Sequence, residues 1–303
     1  MDPTVRKPNP DALPGAEEPR AGYYAVNGTM IYAEVRGSGP AVLLVSSVYE
    51  DAEIYRGVAE RLTGFTVVTY DNRGTSRSGR ENWPGCGSGQ HADDAAGLIE
   101  ALGLEDVVVF GSGTGGIIAL QFALRYPELV KSVLVYEPGY FSLTEDGRRL
   151  QDVASRTIDH YLTAFPDDWV GALAALGRAT AGVKEGTSRG FFEPPTGKEW
   201  YGERRDLNAE AFVKNDIQLG FETPDEAALA ALDVDVRVVC GTSAVPVFRD
   251  IAARLAAIRG TVLDFIPRTH HHLYFRADAT AAYIQERASA PSQGRPQSQA
   301  DGS

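Results

Sequence analysis

The sequence predicts an α/β fold with a mostly parallel sheet of eight strands flanked by helices. Short apolar runs that suit buried strands alternate with helical stretches along most of the chain, a pattern typical of a parallel sheet covered on both faces. A second observation comes from residues 107–124, where four apolar residues lead into a glycine-dense turn and then directly into an apolar helical stretch. Such a turn places the N-terminus of a helix at the carboxyl end of the sheet, where ligands bind.

The same patterns place the individual elements in order. Asn27-Gly28 predicts the turn of a hairpin over residues 23–35. Further strands are expected at residues 41–45, 66–70, 107–110, 130–136, 234–240 and 261–265, and helices at residues 54–62, 92–102, 117–124, 247–258 and from residue 277. Residues 1–21 and 288–303 carry Pro, charged and small polar residues without an apolar period, so we expect both to be disordered tails.

A segment of different character, residues 141–230, interrupts the alternation. Its expected helices, at residues 150–165 and 169–181, alternate with loops that contain Gly and Pro. Because it follows a core strand at the edge of the sheet where ligands bind, we interpret it as a helical lid between the core regions 22–140 and 231–287. Phe191, Phe192 and Trp200 lie in one of its loops and are candidates either for the pocket wall or for packing within the lid.

Composition excludes several classes of function. The chain has 29 Lys and Arg against 41 Asp and Glu, a net charge of −12, which argues against a nucleic-acid partner. Two cysteines do not make a disulfide framework, no apolar run reaches the length of a membrane span, and the first residues lack the apolar region of a signal peptide. We therefore expect a cytoplasmic protein with no nucleic-acid or membrane partner. The other partners that we expect are an apolar small molecule and, as one option, a second copy of the chain in a homodimer.

No cofactor or metal is implied by these residues. Three adjacent histidines, residues 270–272, are the densest group of metal-ligand side chains in the chain. Neighbours in an extended chain point apart, so this spacing does not make a metal site.

With these elements in place, the chain resembles the α/β-hydrolase superfamily, and within it the capped esterases, haloperoxidases and epoxide hydrolases. The resemblance covers residues 22–287. It depends on motifs that are weak singly but occur in the expected order, namely Asp71-x-Arg73-Gly74-x-Ser76-x-Ser78, Gln90-His91-Ala92-Asp93-Asp94, Gly111-x-x-x-Gly115-Gly116, Tyr136-Glu137-Pro138 and Ile266 to His271.

Three departures from the family pattern concern the catalytic positions. The family's G-x-S-x-G nucleophile turn is Gly111-Ser112-Gly113-Thr114-Gly115 here, so Gly113 stands at the nucleophile position. Ser46-Ser47 replaces the His-Gly that follows the third strand, and no carboxylate occupies the acid position, where Ser243 or Ala244 stands. Of the family's catalytic side chains, only the histidine is matched, by His271.

What the resemblance implies for chemistry therefore centres on His271 as a general acid or base. Glu137, at the end of the strand before the lid, is a candidate orienting partner, although Glu-Pro at this corner also recurs in family members with the usual acid. The backbone N–H groups of Val48 and Thr114 are expected to polarise a substrate carbonyl, and the Thr114 hydroxyl to cap the helix. Further pocket candidates are Ser47, Tyr49 and Ser112, the last of which is also interpretable as a small packing residue facing a different wall.

These residues lead to three functional hypotheses. The first is a non-hydrolytic enzyme in which His271 drives cyclisation, isomerisation, elimination or lyase chemistry, or a cofactor-free oxygenation. The Ala-, Gly- and Arg-rich composition is compatible with a bacterial natural-product pathway, which is an association rather than a physical argument. The second is a catalytically inactive ligand-binding protein, and the third is a hydrolase that uses water activated by His271.

Overall fold

The computed structural model describes residues 18–181, 206–271 and 273–290. Its strands are β1 (Arg20–Val26), β2 (Thr29–Arg36), β3 (Ala41–Val45), β4 (Thr66–Tyr70), β5 (Val107–Ser112), β6 (Val130–Tyr136), β7 (Asp235–Gly241) and β8 (Leu263–Ile266). They form one sheet in the order β1-β2-β4-β3-β5-β6-β7-β8. β2 pairs antiparallel with β1 and β4, and every other neighbouring pair is parallel. The predicted mostly parallel, eight-stranded sheet is confirmed.

The α-helices of the described residues are α1 (Arg56–Ala59), α2 (Ser88–Ala101), α3 (Thr114–Arg125), α4 (Glu145–Ala164), α5 (Trp169–Ala181), α6 (Ala209–Ala211), α7 (Ile217–Gly220), α8 (Glu226–Ala231), α9 (Pro246–Arg259) and α10 (Ala277–Ser289). A π-helical turn, Phe212–Asp216, joins α6 to α7. None of these helices is long and apolar enough to cross a membrane.

The central strands bury both faces, because alternate residues point into two separate clusters. In β5, Val107 and Val109 pack with residues of α2, α3 and α9, whereas Val108 and Phe110 pack on the opposite face with residues of α1 and α10. A strand buried on both sides needs an unbroken apolar run, which is why the strands were predicted closely from the sequence.

The helix starts differ more from prediction than the strands do. The helix predicted over residues 54–62 is instead a short 3-10 turn (Ala52–Tyr55) followed by the four residues of α1. α3 begins at Thr114 instead of residue 117, because the predicted turn glycines belong to the helix itself. A Cβ at Gly115 would lie 2.3 Å from the Val45 carbonyl oxygen, so glycine here permits the close approach of α3 to β3. β1 begins at Arg20 and α10 ends at Ser289, so the predicted tails each contribute two residues to regular elements.

Between β6 and β7, the chain forms the helices α4 to α8. Ile158 and Leu176 from α4 and α5 pack with Phe212 and Ile217, and this cluster includes Tyr49 from the loop after β3. The segment is thus anchored on the carboxyl end of the sheet. Its division from the core as a separate lid domain stays a prediction. Phe191, Phe192 and Trp200 lie outside the described residues.

Candidate active site

Gly113 forms the tip of the turn that joins β5 to α3. Its backbone has φ 57° and ψ −125°, and a positive φ favours glycine over residues with a side chain. Its N–H donates to the Tyr136 carbonyl at 3.1 Å, and its carbonyl accepts from the N–H groups of Gly139 at 3.0 Å and Gly116 at 3.1 Å. The turn is therefore fixed from both sides although no side chain projects from it.

A side chain at Gly113 would project towards His271. A Cβ built there would lie 2.7 Å from the Ser47 hydroxyl oxygen and 3.5 Å from His271 Nε2. The predicted nucleophile position and the predicted histidine thus face each other.

His271 is held on two further sides by neighbouring side chains. Glu137 Oε2 lies 3.5 Å from His271 Nδ1, and the Glu137 side chain is fully buried whereas that of His271 is 19% exposed. The other oxygen, Oε1, accepts a hydrogen bond from Gly241 N–H at 3.0 Å. Phe248 stacks on the imidazole with ring centroids 4.4 Å apart. The structure therefore brings the two sequence candidates Glu137 and His271 together, as in a base with an orienting carboxylate.

The Val48 N–H, which was predicted to polarise a substrate carbonyl, already has a protein partner. It donates to Asp216 Oδ1 at 2.7 Å and lies 3.4 Å from Thr114 Oγ1. The Thr114 hydroxyl bonds the same carboxyl oxygen of Asp216 and does not cap α3. The expectations of an available Val48 N–H and of a capping Thr114 are both wrong, because both groups instead hydrogen-bond the Asp216 carboxyl, whose burial would be costly without such partners.

Asp216, which the sequence analysis did not single out, is the last residue of the π-helical turn. Burial raises the pKa of its carboxyl to about 7, while the hydrogen bonds from Thr114 and Val48 oppose that rise; Glu50 adds to it and His271 subtracts from it. A group with this pKa exchanges protons near neutral pH. The signal in the sequence is an acid spaced four residues from Phe212 and three from Leu219, on the apolar side of a helical stretch.

Asp216, His271 and Gly113 line one cavity with about 690 Å³ of empty space, its open mouth included. Its wall is mostly apolar and aromatic, and no Lys or Arg of the described residues contributes to it. The lining residues are Ser47, Tyr49, Gly113, Thr114, Gly139, Phe141, Leu150, Gln151, Ala154, Leu176, Phe212, Asp216, Ile217, Phe221, Phe248 and His271. The pocket candidates Ser47 and Tyr49 are among them.

Ser112 is not part of this wall. Its hydroxyl lies 2.5 Å from the Tyr55 hydroxyl, on the side of the sheet where Tyr55 and Phe110 pack edge to face. Successive residues of a strand point to opposite faces, so the residue before the tip of the turn cannot share its direction. Its placement among the pocket residues is wrong, and the alternative of a packing residue on another wall is correct.

A second buried polar cluster supports the π-helical turn from behind. His91 Nε2 lies 2.8 Å from Asn215 Nδ2 and 3.4 Å from Cys86 Sγ. Burial, with a smaller contribution from Arg73, lowers the pKa of His91 to about 3. A neutral His91 thus anchors the residue next to Asp216. Within the described parts of the chain, no three His, Cys, Asp or Glu side chains are grouped so that they could hold a metal ion.

Comparison with known proteins was made on sequence and on structure. A family model described as alpha/beta hydrolase fold matches residues 40–232. The "Uncharacterized hydrolase YraK" of Bacillus subtilis is 41% identical over 119 residues, which cover 39% of this chain and 44% of that protein. The chain spans about half the length of the curated relatives that it matches.

Two solved structures show the same fold over nearly the whole chain. An esterase from Exiguobacterium antarcticum superposes with a TM-score of 0.67 at 19% identity, covering 88% of this chain and 100% of that one. A bromoperoxidase from Bacillus anthracis gives a TM-score of 0.68 at 17% identity, also covering 88% and 100%. At such identities the likeness concerns the fold and carries no activity over.

Proposed function

Because the chain belongs to the alpha/beta hydrolase fold family and yet has glycine at the nucleophile position, we propose an enzyme that transfers protons without a covalent intermediate. His271 is its general acid/base, Glu137 orients the imidazole, and the substrate is an apolar small molecule. The reaction classes that need no nucleophile are cyclisation, isomerisation, elimination or lyase chemistry and cofactor-free oxygenation.

The observation that carries the proposal is the placement of His271 between Glu137 and the empty side of Gly113. Glu137 Oε2 lies 3.5 Å from Nδ1, and Nε2 faces the point from which a side chain is missing. A carboxylate at Nδ1 favours the tautomer with its proton there, which leaves Nε2 as the acceptor for a substrate proton. The mostly apolar wall makes the electrostatic interaction between Glu137 and the imidazole stronger than it would be in water.

Hydrolysis by a water molecule at the same point is the second candidate. The Ser47 hydroxyl and His271 Nε2 both face the side of Gly113 from which a side chain would project, and a water bound between these two groups would be placed for deprotonation by the imidazole. The relative YraK is named a hydrolase, which favours this alternative over a catalytically inactive ligand-binding protein.

A panel of probes in D₂O separates these candidates. Neutral aryl ketones report proton transfer through deuterium uptake next to the carbonyl, 4-nitrophenyl esters report hydrolysis, and mass spectrometry reads both. We expect exchange without hydrolysis, and a loss of about 100-fold or more in His271→Asn, the range for general acid–base catalysis. The exposed histidine of α4 gives a matched control, His160→Asn.

Each other outcome has a definite meaning. Ester hydrolysis that is insensitive to serine-directed reagents and lost in His271→Asn supports activated water. Ligands that bind and return unchanged support the inactive binding protein. Exchange that persists undiminished in His271→Asn overturns the proposed role of this histidine.

A further inference from the structure

Asp216 gives the cavity a second acid/base group that the role of His271 does not require. It is a carboxyl with 4% exposure at the wall of a mostly apolar cavity. Both of its hydrogen bonds, from Val48 N–H at 2.7 Å and with the Thr114 hydroxyl, use Oδ1. Its Oδ2 is thereby the atom left for a proton and for a ligand.

We propose that Asp216 is a general acid that hydrogen-bonds the carbonyl oxygen of a neutral substrate. Asp216 accepts the hydrogen bond of the Val48 N–H, a backbone group that would otherwise stabilise an oxyanion. Its carboxyl therefore takes the place of that donor beside the substrate oxygen. This inference rests on the proposed role of His271 as the base. The substrate class is a neutral, largely apolar compound with a carbonyl group and a hydrogen on the adjacent carbon.

The proton transfers by His271 and Asp216 balance without a cofactor. His271 Nε2 takes the proton from the carbon next to the carbonyl, and the electron pair of that C–H bond forms the new C=C bond. The C=O π electrons move onto oxygen, which takes the proton from Asp216 Oδ2. The products are a neutral enol, an imidazolium and a carboxylate, and the reverse transfers restore the starting protonation at the same or another carbon.

The charges around the cavity favour a neutral carbonyl over an anion. Glu50 acts on Asp216 with a like charge, and Glu137 lies behind His271. No Lys or Arg among the described lining residues offsets them. A bound carboxylate would meet a second carboxyl in a low-dielectric site, which costs far more than it does in water.

The Asp216 carboxyl is set up to carry a proton near neutral pH. Its pKa is raised to about 7 mainly by burial and also by the charge of Glu50, while the hydrogen bonds from Thr114 and Val48 and the charge of His271 act in the opposite direction. As the pH rises through 7 the carboxyl loses the proton that it donates, so activity should fall on the alkaline side. The position of this limb in variants that change the Asp216 pKa therefore distinguishes a proton donor from a structural group.

The test uses two probes with the same ring system, 2-acetonaphthone and 2-naphthoate. Deuterium uptake into the methyl group of the ketone is followed by mass spectrometry between pH 5 and 9, and binding of both probes is measured by calorimetry. We expect the ketone to bind at least tenfold more tightly than the carboxylate. Asp216→Asn should reduce exchange about 100-fold and abolish the alkaline limb, whereas the exposed Asp250→Asn on α9 should change neither.

A second variant keeps Asp216 but raises the pKa of its carboxyl. Thr114→Val removes a hydrogen bond that favours the charged carboxylate, so the alkaline limb should shift to higher pH. Circular dichroism establishes that each variant is folded. A limb that stays in place in Thr114→Val and survives in Asp216→Asn overturns the assignment.

The remaining outcomes separate this inference from the proposed function. Exchange lost in His271→Asn but intact in Asp216→Asn overturns the role of Asp216 and leaves His271 as the base. Exchange lost in Asp216→Asn but intact in His271→Asn overturns the proposed function. A wild-type protein that neither exchanges the ketone nor prefers it over 2-naphthoate overturns the substrate class and the acid together.

Discussion

Restoring a serine at the tip of the β5–α3 turn, Gly113→Ser, tests whether the missing nucleophile is the only obstacle to ester hydrolysis. The new Cβ would lie 3.5 Å from His271 Nε2, so the hydroxyl would be within reach of the base. A carboxylate, Glu137, already lies behind that base. Even so, we expect almost no esterase activity from this single change, because the Val48 N–H is bound to Asp216.

The size of the effect follows from the occupied N–H. Loss of one oxyanion donor lowers kcat by about 10²–10³. Gly113→Ser combined with Asp216→Ala frees the Val48 N–H, and we therefore expect the double variant to exceed the single variant by about 100-fold in hydrolysis of 4-nitrophenyl butyrate. Asp216→Ala alone is the control and should stay inactive as an esterase, since it has no nucleophile.

The same substitution has a predictable cost in stability. A residue with a side chain at φ 57° and ψ −125° is strained by about 1–3 kcal/mol, and the 2.7 Å approach to the Ser47 hydroxyl must be relieved by rotation of that side chain. For a chain of this size we expect Tm to fall by about 2–5 °C. Ser47→Gly in the same background should recover the part of the loss that is due to the contact.

Two results would refute this reasoning. If Gly113→Ser alone is as active as the double variant, Asp216 does not block the oxyanion position. If the double variant is folded but forms no acyl-enzyme detectable by intact-protein mass spectrometry, His271 and Glu137 do not act together as a base.

Three further predictions concern the residues that hold the site in place. Glu137→Gln keeps an acceptor for the Gly241 N–H but removes the charge beside His271, so ketone exchange should fall about 100-fold or more with unchanged circular dichroism. Asp94→Asn breaks a buried two-pronged ion pair and should lower the free energy of unfolding in urea by about 3–5 kcal/mol. The neighbouring Asp93→Asn, which breaks an exposed pair, should lower it by about 1 kcal/mol or less; equal losses would contradict the argument. His91, with a pKa of about 3 in the folded protein against about 6.5 when unfolded, makes stability fall as the pH drops below 6.5. Between pH 7.5 and 5 this amounts to about 2 kcal/mol, and that share of the pH dependence should be absent in His91→Gln.

The sheet was predictable because burial on both faces requires apolar runs, and each run is visible by itself. The contact of Glu137 with His271 was also within reach of the sequence. Glu137 follows β6 directly and His271 follows β8, and these strands flank β7 in a parallel sheet, so their carboxyl ends meet at one edge. The sequence does not say how far each of the two side chains extends beyond that edge of the sheet, and this needed the structure.

Asp216 was beyond sequence reasoning for a different physical reason. Its approach to Val48 depends on how the segment between β6 and β7 docks on the core, a contact across 168 residues of chain. It also depends on the π-helical turn, which shifts the direction of every following side chain relative to a regular helix. Local periodicity marks Asp216 as an acid on an apolar side but does not say what it faces. The contact of His91 with Asn215 could not be predicted for the same reason, since Asn215 belongs to the same docked segment.

The glycine at position 113 and the carboxyl at position 216 are best understood as one arrangement. An acyl transfer at the turn would develop a negative oxygen beside Val48, where Asp216 Oδ1 already accepts the hydrogen bond. The negative oxygen and the Asp216 carboxylate repel each other strongly in a buried site. A serine at position 113 would therefore form an intermediate that this site destabilises. A reaction whose intermediate is a neutral enol meets no such opposition, because Asp216 gives up a proton as the substrate oxygen gains it. The same carboxyl that disfavours ester hydrolysis therefore favours paired proton transfer with His271.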